Sequence, residues 1–212
     1  KYAKKIGINP AARLTTGKPS GTTSAVLSSS SGIHARHSQY YIRRVRMNKY
    51  DALSMYLKEI IPELIEDDVT SDTGIVVSIP QDSPDGAIVR DNETALQLFE
   101  RAIKWNKHWV LPGHRVGDNR NNISCTISVK PEEWNNLKDN MWTYKDFYSG
   151  ISLLPFSNPL YSQLPFESCS KEKFEQMFTY VKDIDLREVK EEQDMTNRIG
   201  ELACQGGNCE LK

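Results

Sequence analysis

The chain has 212 residues with 27 basic against 28 acidic side chains and a net charge of −1, a length that suits one large domain or two small ones around a real core. Hydrophobic residues at 38% and charged residues at 26% exclude a disordered tail, no apolar run approaches the roughly 18 residues of a spanning helix, and the near-neutral balance argues against a protein that coats nucleic acid directly. Four cysteines are too few for a disulfide-built secreted scaffold, so the expectation is a soluble, cytoplasmic α/β protein with no membrane association.

The basic start Lys1-Tyr2-Ala3-Lys4-Lys5 is followed by no apolar h-region, so no signal peptide is evident. A first residue other than Met suggests a processed chain or a piece of something longer. Residues 1–38 are rich in Gly, Ser, Thr and Pro and read as loops around one short strand, with Ser28 to Ser31 as loop. Tyr40 to Met47 is β-branched and aromatic and predicts a strand. Residues 50–61 then place Leu53, Tyr56, Leu57, Ile60 and Ile61 on one helical face, with Pro62 at the end. Gly74 to Ile79 predicts a second strand, stopped by Pro80. Asn92 is the expected cap of a helix reaching Trp109, with Glu93, Leu96, Phe99 and Ile103 along its stripe. Pro112-Gly113 breaks the chain.

The cleanest strand signal is 122–130, where Ile123, Cys125, Ile127 and Val129 alternate with Ser124, Thr126 and Ser128. Pro131 opens a helix whose buried side should carry Trp134, Leu137, Met141 and Trp142, with Glu132 and Glu133 favourable to its dipole. Ile151 to Phe156 reads as a strand and Ser170 to Asp183 as a helix. All four tryptophans (105, 109, 134 and 142) are expected in the core. The strand–helix order, repeated three times, points to parallel βαβ units. The acidic segment after residue 183 and the Gly206-Gly207 pair suggest a mobile tail.

Two stretches could carry chemistry. Thr15 to Ser24 flanks glycines with small and hydroxyl residues, which lets backbone N–H groups approach an anion, with Lys18 supplying charge. It lacks the GxxxxGK[ST] spacing of a Walker A loop, and composition alone favours an ordinary Gly/Ser loop. Cys204 and Cys209 bracket Gln205-Gly206-Gly207-Asn208 near the C-terminus. Such a pair can form and break a disulfide without moving a core. Half a zinc site completed by Cys125 and Cys169 is the less favoured alternative, because a tight zinc pair prefers shorter spacing. His34 and His37 read as polar-loop residues before ligands, and His108 and His114 as a helix end and a loop residue. Arg43, Arg44 and Arg46 make a basic strand edge, ion-paired on the bland reading and phosphate-binding on the sharp one.

Taken together, the blocks Thr15-Thr16-Gly17-Lys18-Pro19-Ser20-Gly21-Thr22, Tyr40-Tyr41-Ile42-Arg43-Arg44-Val45, Asn122 to Lys130, Tyr148 to Pro155, Gln163-Leu164-Pro165-Phe166-Glu167 and the Cys-x4-Cys ending resemble the C-terminal part of an adenosylcobalamin-dependent (class II) ribonucleotide reductase of the monomeric ribonucleoside-triphosphate reductase type. The resemblance implies part of a ten-stranded α/β barrel built of parallel βαβ units and incomplete without an N-terminal chain, with residues 1–195 in the barrel and 196–212 as a flexible redox tail. It implies substrate-phosphate binding by Lys18, Pro19, Ser20, Gly21, Thr22 and Thr23, which reverses the compositional preference for an ordinary loop. It also implies electron relay from thioredoxin through Cys204 and Cys209, and adenosylcobalamin as cofactor against a surface drawn from residues around 12–75 and 158–197. No individual cofactor contact and no metal ligand is assigned.

The family's finger-loop motif Asn-Pro-Cys-Gly-Glu, which carries the radical cysteine, is absent, since Asn9-Pro10 is followed by Ala11-Ala12. The expected function is therefore the C-terminal part of a reductase that converts ribonucleotides to 2′-deoxyribonucleotides, inactive alone and needing an N-terminal partner chain with that motif. The alternatives are a stand-alone nucleotide-phosphate-binding module with a redox-sensing tail, and a zinc-stabilised interaction protein.

Overall fold

The computed structural model describes residues 1–11, 13–115, 117–156 and 162–191. Lys1–Arg36 and Arg90–Asn158 form one unit, and His37–Val89 with Pro159–Lys212 the other. The expected boundary at residues 195 and 196 lies outside the described residues. In chain order the elements are α1 (Tyr2–Lys5), α2 (Thr23–Val26), β1 (Tyr40–Asn48), α3 (Ala52–Ile60), β2 (Ile65–Asp67), β3 (Gly74–Asp82) and α4 (Ala95–Trp105). A π-helical turn (Asn106–Val110) and α5 (Leu111–Gly113) extend α4, followed by β4 (Thr126–Val129), α6 (Trp134–Thr143), β5 (Ser152–Pro155), β6 (Phe166–Ser168) and α7 (Lys171–Val181). None of the helices is long and apolar enough to cross a membrane, among the described residues.

The second unit is a four-stranded sheet in the order β2-β3-β1-β6, and every pairing in it is antiparallel. This corrects the expected parallel repeat. β1 and β2 do run the same way with α3 between them, as in a βαβ unit. β3 then turns back from β2 and takes the place between the two, a split βαβ. β2 is only three residues long and gives too short a pattern to read as a strand. β3 also continues through Pro80, which pairs with Ile42 of β1. β2 reaches only from Ile75 to Val77 of β3, so at Pro80 the far side of β3 is an edge and the missing N–H costs no ladder bond. Asp51 caps α3 by accepting from Leu53 N–H. Leu57 and Ile61 turn inward with Ile42, Leu64, Ile75, Val77 and Met177. Ile60, expected on the same face, is 39% exposed.

The first unit keeps one parallel pair, β4 with β5, joined through α6 as the sequence predicts. The alternation at 123–129 is real: Ile123, Cys125, Ile127 and Val129 are all buried, packed with Phe99, Ala102, Ile103 and Leu137. Residues 1–38 hold no strand among those described; Gly17 forms an isolated parallel bridge with Ile123. The cap of α4 is Thr94 rather than Asn92. Thr94 and Gln97 form a reciprocal capping box, while Asn92 sits in a preceding 3₁₀ turn. Glu93 leaves the apolar stripe and pairs with Arg101 at 2.5 Å. The tryptophans are not core: Trp105, Trp109, Trp134 and Trp142 are 39%, 53%, 38% and 74% exposed. Their spacing puts them on helix flanks beside the buried rows, where Ala, Leu and Phe carry the contacts.

Candidate phosphate-binding site

Gly17 brings the loop against residues 122–124, just before β4. Its carbonyl accepts from Ser124 N–H at 2.9 Å, and an added Cβ would lie 2.9 Å from the Ile123 δ-methyl, which would have to shift to admit it. Thr16 Oγ1 donates to the Asn122 carbonyl at 2.9 Å, and Asn121 Nδ2 donates to the Thr15 carbonyl. The loop then leaves the strand and exposes Lys18 and Pro19.

Ser20 is the hub of the turn that comes next. Its Oγ accepts from Ser24 N–H at 2.8 Å, and Ser24 Oγ returns a bond to the Ser20 carbonyl at 2.7 Å. Ser31 Oγ accepts from Ser20 N–H at 2.9 Å and donates to the Ser20 carbonyl at 2.8 Å. Both backbone polar groups of Ser20 are thus fixed by side chains, a locked turn built from hydroxyls. Gly21, Thr22 and Thr23 stand exposed beyond it, and the Thr22 hydroxyl is not spent on capping α2. Lys18 forms no ion pair among the described residues. Of the six loop residues expected to bind phosphate, Lys18, Pro19, Gly21, Thr22 and Thr23 are accessible, and Ser20 is half-buried and structural.

The residues leading into this loop wall an open cleft of about 390 Å³ whose other side is Trp109, His114, Arg115, Asn121 and Asn122, with Arg13 beside Thr15 and Thr16. Among the described residues the lining carries guanidinium, imidazole, hydroxyl and amide groups, an indole and no carboxylate. His114 Nε2 bonds to the Gly117 carbonyl at 2.6 Å. Such a surface suits an anion joined to a flat ring. Sequence reasoning passed over it, because its residues come from three separated stretches and none forms a motif.

The other candidates fall out differently. Cys204 and Cys209 lie outside the described residues. Cys125 is a core residue of the first unit, and burial pushes its thiol up to about 11. Cys169, in the second unit, is partly buried, and burial together with Glu167 also raises its thiol. The basic strand takes its bland reading for two of its arginines. Arg44 pairs with Glu167 at 2.7 Å and Glu66 at 3.6 Å, and Arg46 pairs with the buried Asp68 at 3.1 Å. Both also donate to backbone carbonyls, of Leu164 and Gln163, so they pin the segment before β6 to the sheet. His34 is no idle loop residue, because both its ring nitrogens are hydrogen-bonded.

No protein-family model matches the sequence. All of the chain aligns, at 28% identity, with an adenosylcobalamin-dependent ribonucleoside-triphosphate reductase of Lactobacillus acidophilus, covering 28% of that protein. A reductase of the same name from Levilactobacillus brevis is 30% identical over 78% of the chain, 21% of its own length. Among solved structures, a B-12 dependent (class II) ribonucleotide reductase superposes with a TM-score of 0.68 at 24% identity, covering 89% of this chain and 25% of that one. The chain is thus a homologue of part of these reductases, spans about a quarter of their length, and has the α/β fold of the corresponding segment.

Proposed function

We propose that this chain is the C-terminal part of an adenosylcobalamin-dependent ribonucleotide reductase and supplies its substrate-phosphate loop. The observation that carries this reading is the Ser20 turn. It fixes the backbone of a Lys-Pro-Ser-Gly-Thr-Thr stretch from below while leaving Lys18 and the hydroxyls of Thr22 and Thr23 exposed. The arrangement agrees with the role that the family resemblance assigns to those residues. On this reading the loop holds the phosphates by N–H and hydroxyl donation with Lys18 as counter-charge, and the neighbouring cleft, with Trp109 and its guanidinium groups, takes a further part of the nucleotide.

The cofactor can be tested against the donors available. In the stretches 12–75 and 158–197, both nitrogens of His34 are occupied, and His37 Nε2 lies 3.3 Å from Ser168 Oγ. Met55 and Val69 are 49% and 66% exposed. The exposed Met55 and Val69 of the second unit fit packing against a corrinoid, and the histidines, each engaged within its own unit, are not offered as ligands to its cobalt. When bound, adenosylcobalamin supplies the radical that starts ribonucleotide reduction. This chain's part is to orient the substrate phosphates and shield the site. The barrel is completed, on this proposal, by an N-terminal chain that brings the Asn-Pro-Cys-Gly-Glu loop, and Cys204 with Cys209 passes electrons from thioredoxin.

Gly21→Val tests the loop. A Cβ at Gly21 meets no atom within 4 Å and the backbone is not left-handed, so the variant should fold with an unchanged Tm, and only a bound phosphate would be crowded. Loop strain therefore plays no part in the need for glycine here. In the assembled enzyme the apparent affinity for ribonucleotide should fall by about tenfold or more, the equivalent of one charge-assisted hydrogen bond. An unchanged affinity would sink the phosphate role.

A further inference from the structure

Between the Ser20 turn and β4 runs a short chain of hydrogen bonds that passes through one imidazole. The N–H of Thr126, the first residue of β4, donates to His34 Nε2 at 3.1 Å. His34 Nδ1 stands 3.1 Å from the Ser31 carbonyl, which also accepts from His34 N–H at 3.2 Å. Ser31 Oγ in turn grips both backbone groups of Ser20. A backbone N–H can only donate and a carbonyl can only accept. His34 therefore has to offer a lone pair at Nε2 and a proton at Nδ1, which is the Nδ1–H tautomer.

The surroundings leave this segment little freedom. Gly32 has φ +60°, and a Cβ there would lie 3.0 Å from Pro19 N and 3.2 Å from the Lys18 carbonyl carbon. The 31–34 turn is thus seated directly on the backbone of Lys18 and Pro19. Ile33 is buried in the core of the first unit, and its carbonyl accepts from Arg101 Nη1 at 2.9 Å. The turn is anchored by Ile33, and its link to the strand runs through His34.

We infer that His34, held as the Nδ1–H tautomer between Thr126 and Ser31, is the positioning residue of the Lys18–Thr23 loop. This rests on the phosphate reading of that loop. The imidazole acts on the loop at one remove. It fixes Ser31, and Ser31 fixes Ser20, so that the exposed donors beyond Ser20 are set before an anion arrives. Glutamine can reproduce both bonds, since its amide oxygen accepts from Thr126 and its amide nitrogen donates to Ser31. Alanine can reproduce neither.

The test uses the chain assembled with its N-terminal partner, ¹⁵N-histidine labelling of this chain, and inorganic tripolyphosphate as a competitive probe. His34, identified by the signal lost in His34→Gln, should show a protonated Nδ1 and an unprotonated Nε2 near neutral pH. His34→Ala should weaken tripolyphosphate binding and raise KM for ribonucleotide by about tenfold, with kcat within about twofold. His34→Gln should recover most of the loss. An Nε2–H tautomer would overturn the inference, as would unchanged tripolyphosphate affinity in His34→Ala while Gly21→Val loses it, and that second result leaves the phosphate reading standing. Unchanged affinity in both variants would remove the phosphate reading and the inference with it.

Discussion

Two glycines of the candidate phosphate loop and the turn beneath it answer to different constraints. Gly32 holds a left-handed φ of +60° with Pro19 backbone atoms within about 3 Å of where a Cβ would be, so any side chain there is both strained and blocked. At Gly21 a Cβ would meet open space, and on the proposed reading its smallness matters for what binds. Cys125 illustrates a third constraint, since it alternates correctly along β4 and is 5% exposed. Burial holds its thiol protonated up to about 11 against an ordinary value of 9.0, so unfolding releases a proton between those values. Stability should therefore be full below pH 9 and fall as pH rises toward 11, by up to about 1.4 kcal/mol per pH unit. Denaturant titrations of the assembled protein across pH 8–11 should show that slope, and Cys125→Ala should flatten it. A slope that survives the substitution would assign the effect to another group. The thiol should also resist alkylation in the folded protein.

Helix α4 shows what local pattern can and cannot fix. The apolar stripe was legible, and Phe99 and Ile103 are indeed buried. The start was not, because Asn92 and Thr94 are both good caps and only the reciprocal bond to Gln97 separates them. Thr94→Ala should cost about 1 kcal/mol, whereas Asn92→Ala should be near neutral. Equal losses in urea denaturation would reject the capping box. The sheet teaches the same thing. β1 and β3 were visible from their composition, but pairing direction depends on β2, three residues that carry no periodicity. By residue types alone the stretch from Thr15 to Ser24 favoured an ordinary Gly/Ser loop, and only the family resemblance made it a candidate for phosphate. Its hub, the Ser20–Ser31–His34 linkage, was not legible, since hydrogen bonds across 11 residues leave no spacing rule. The tryptophans failed in the opposite sense, because helical spacing names a face without saying whether anything covers it.

At the scale of the molecule, the exposed tryptophans and the edge of the two-stranded β4–β5 pair fit a chain that finishes its sheet and surface against more protein. A parallel pair is ordinarily buried on both faces, yet β5 leaves Leu154 50% exposed. Adenosylcobalamin, dithiothreitol and ribonucleotide added to this chain alone should give no turnover, and an N-terminal chain bearing Asn-Pro-Cys-Gly-Glu should restore it. Turnover without the partner would defeat the proposal of a divided enzyme. In the assembled enzyme, Cys204→Ser with Cys209→Ser should spare a first turnover and abolish repeated turnover driven by thioredoxin, with partial rescue by dithiothreitol. Full thioredoxin-driven turnover would rule out the relay.

The chain's interleaving between its two units also orders events in time. Thr16 and the Asn122 carbonyl it bonds are separated by 106 residues, and the whole β1–β3 ladder lies in the interval. Closing so long a loop is entropically late, whereas β2 and β3 meet across a short turn. During synthesis the Lys18 loop leaves the ribosome well before its β4 support, which arrives only after the inserted strands have been made. The candidate loop is thus born early and shaped late, and a lesion in residues 122–126 would show itself as a loop that never acquires its form.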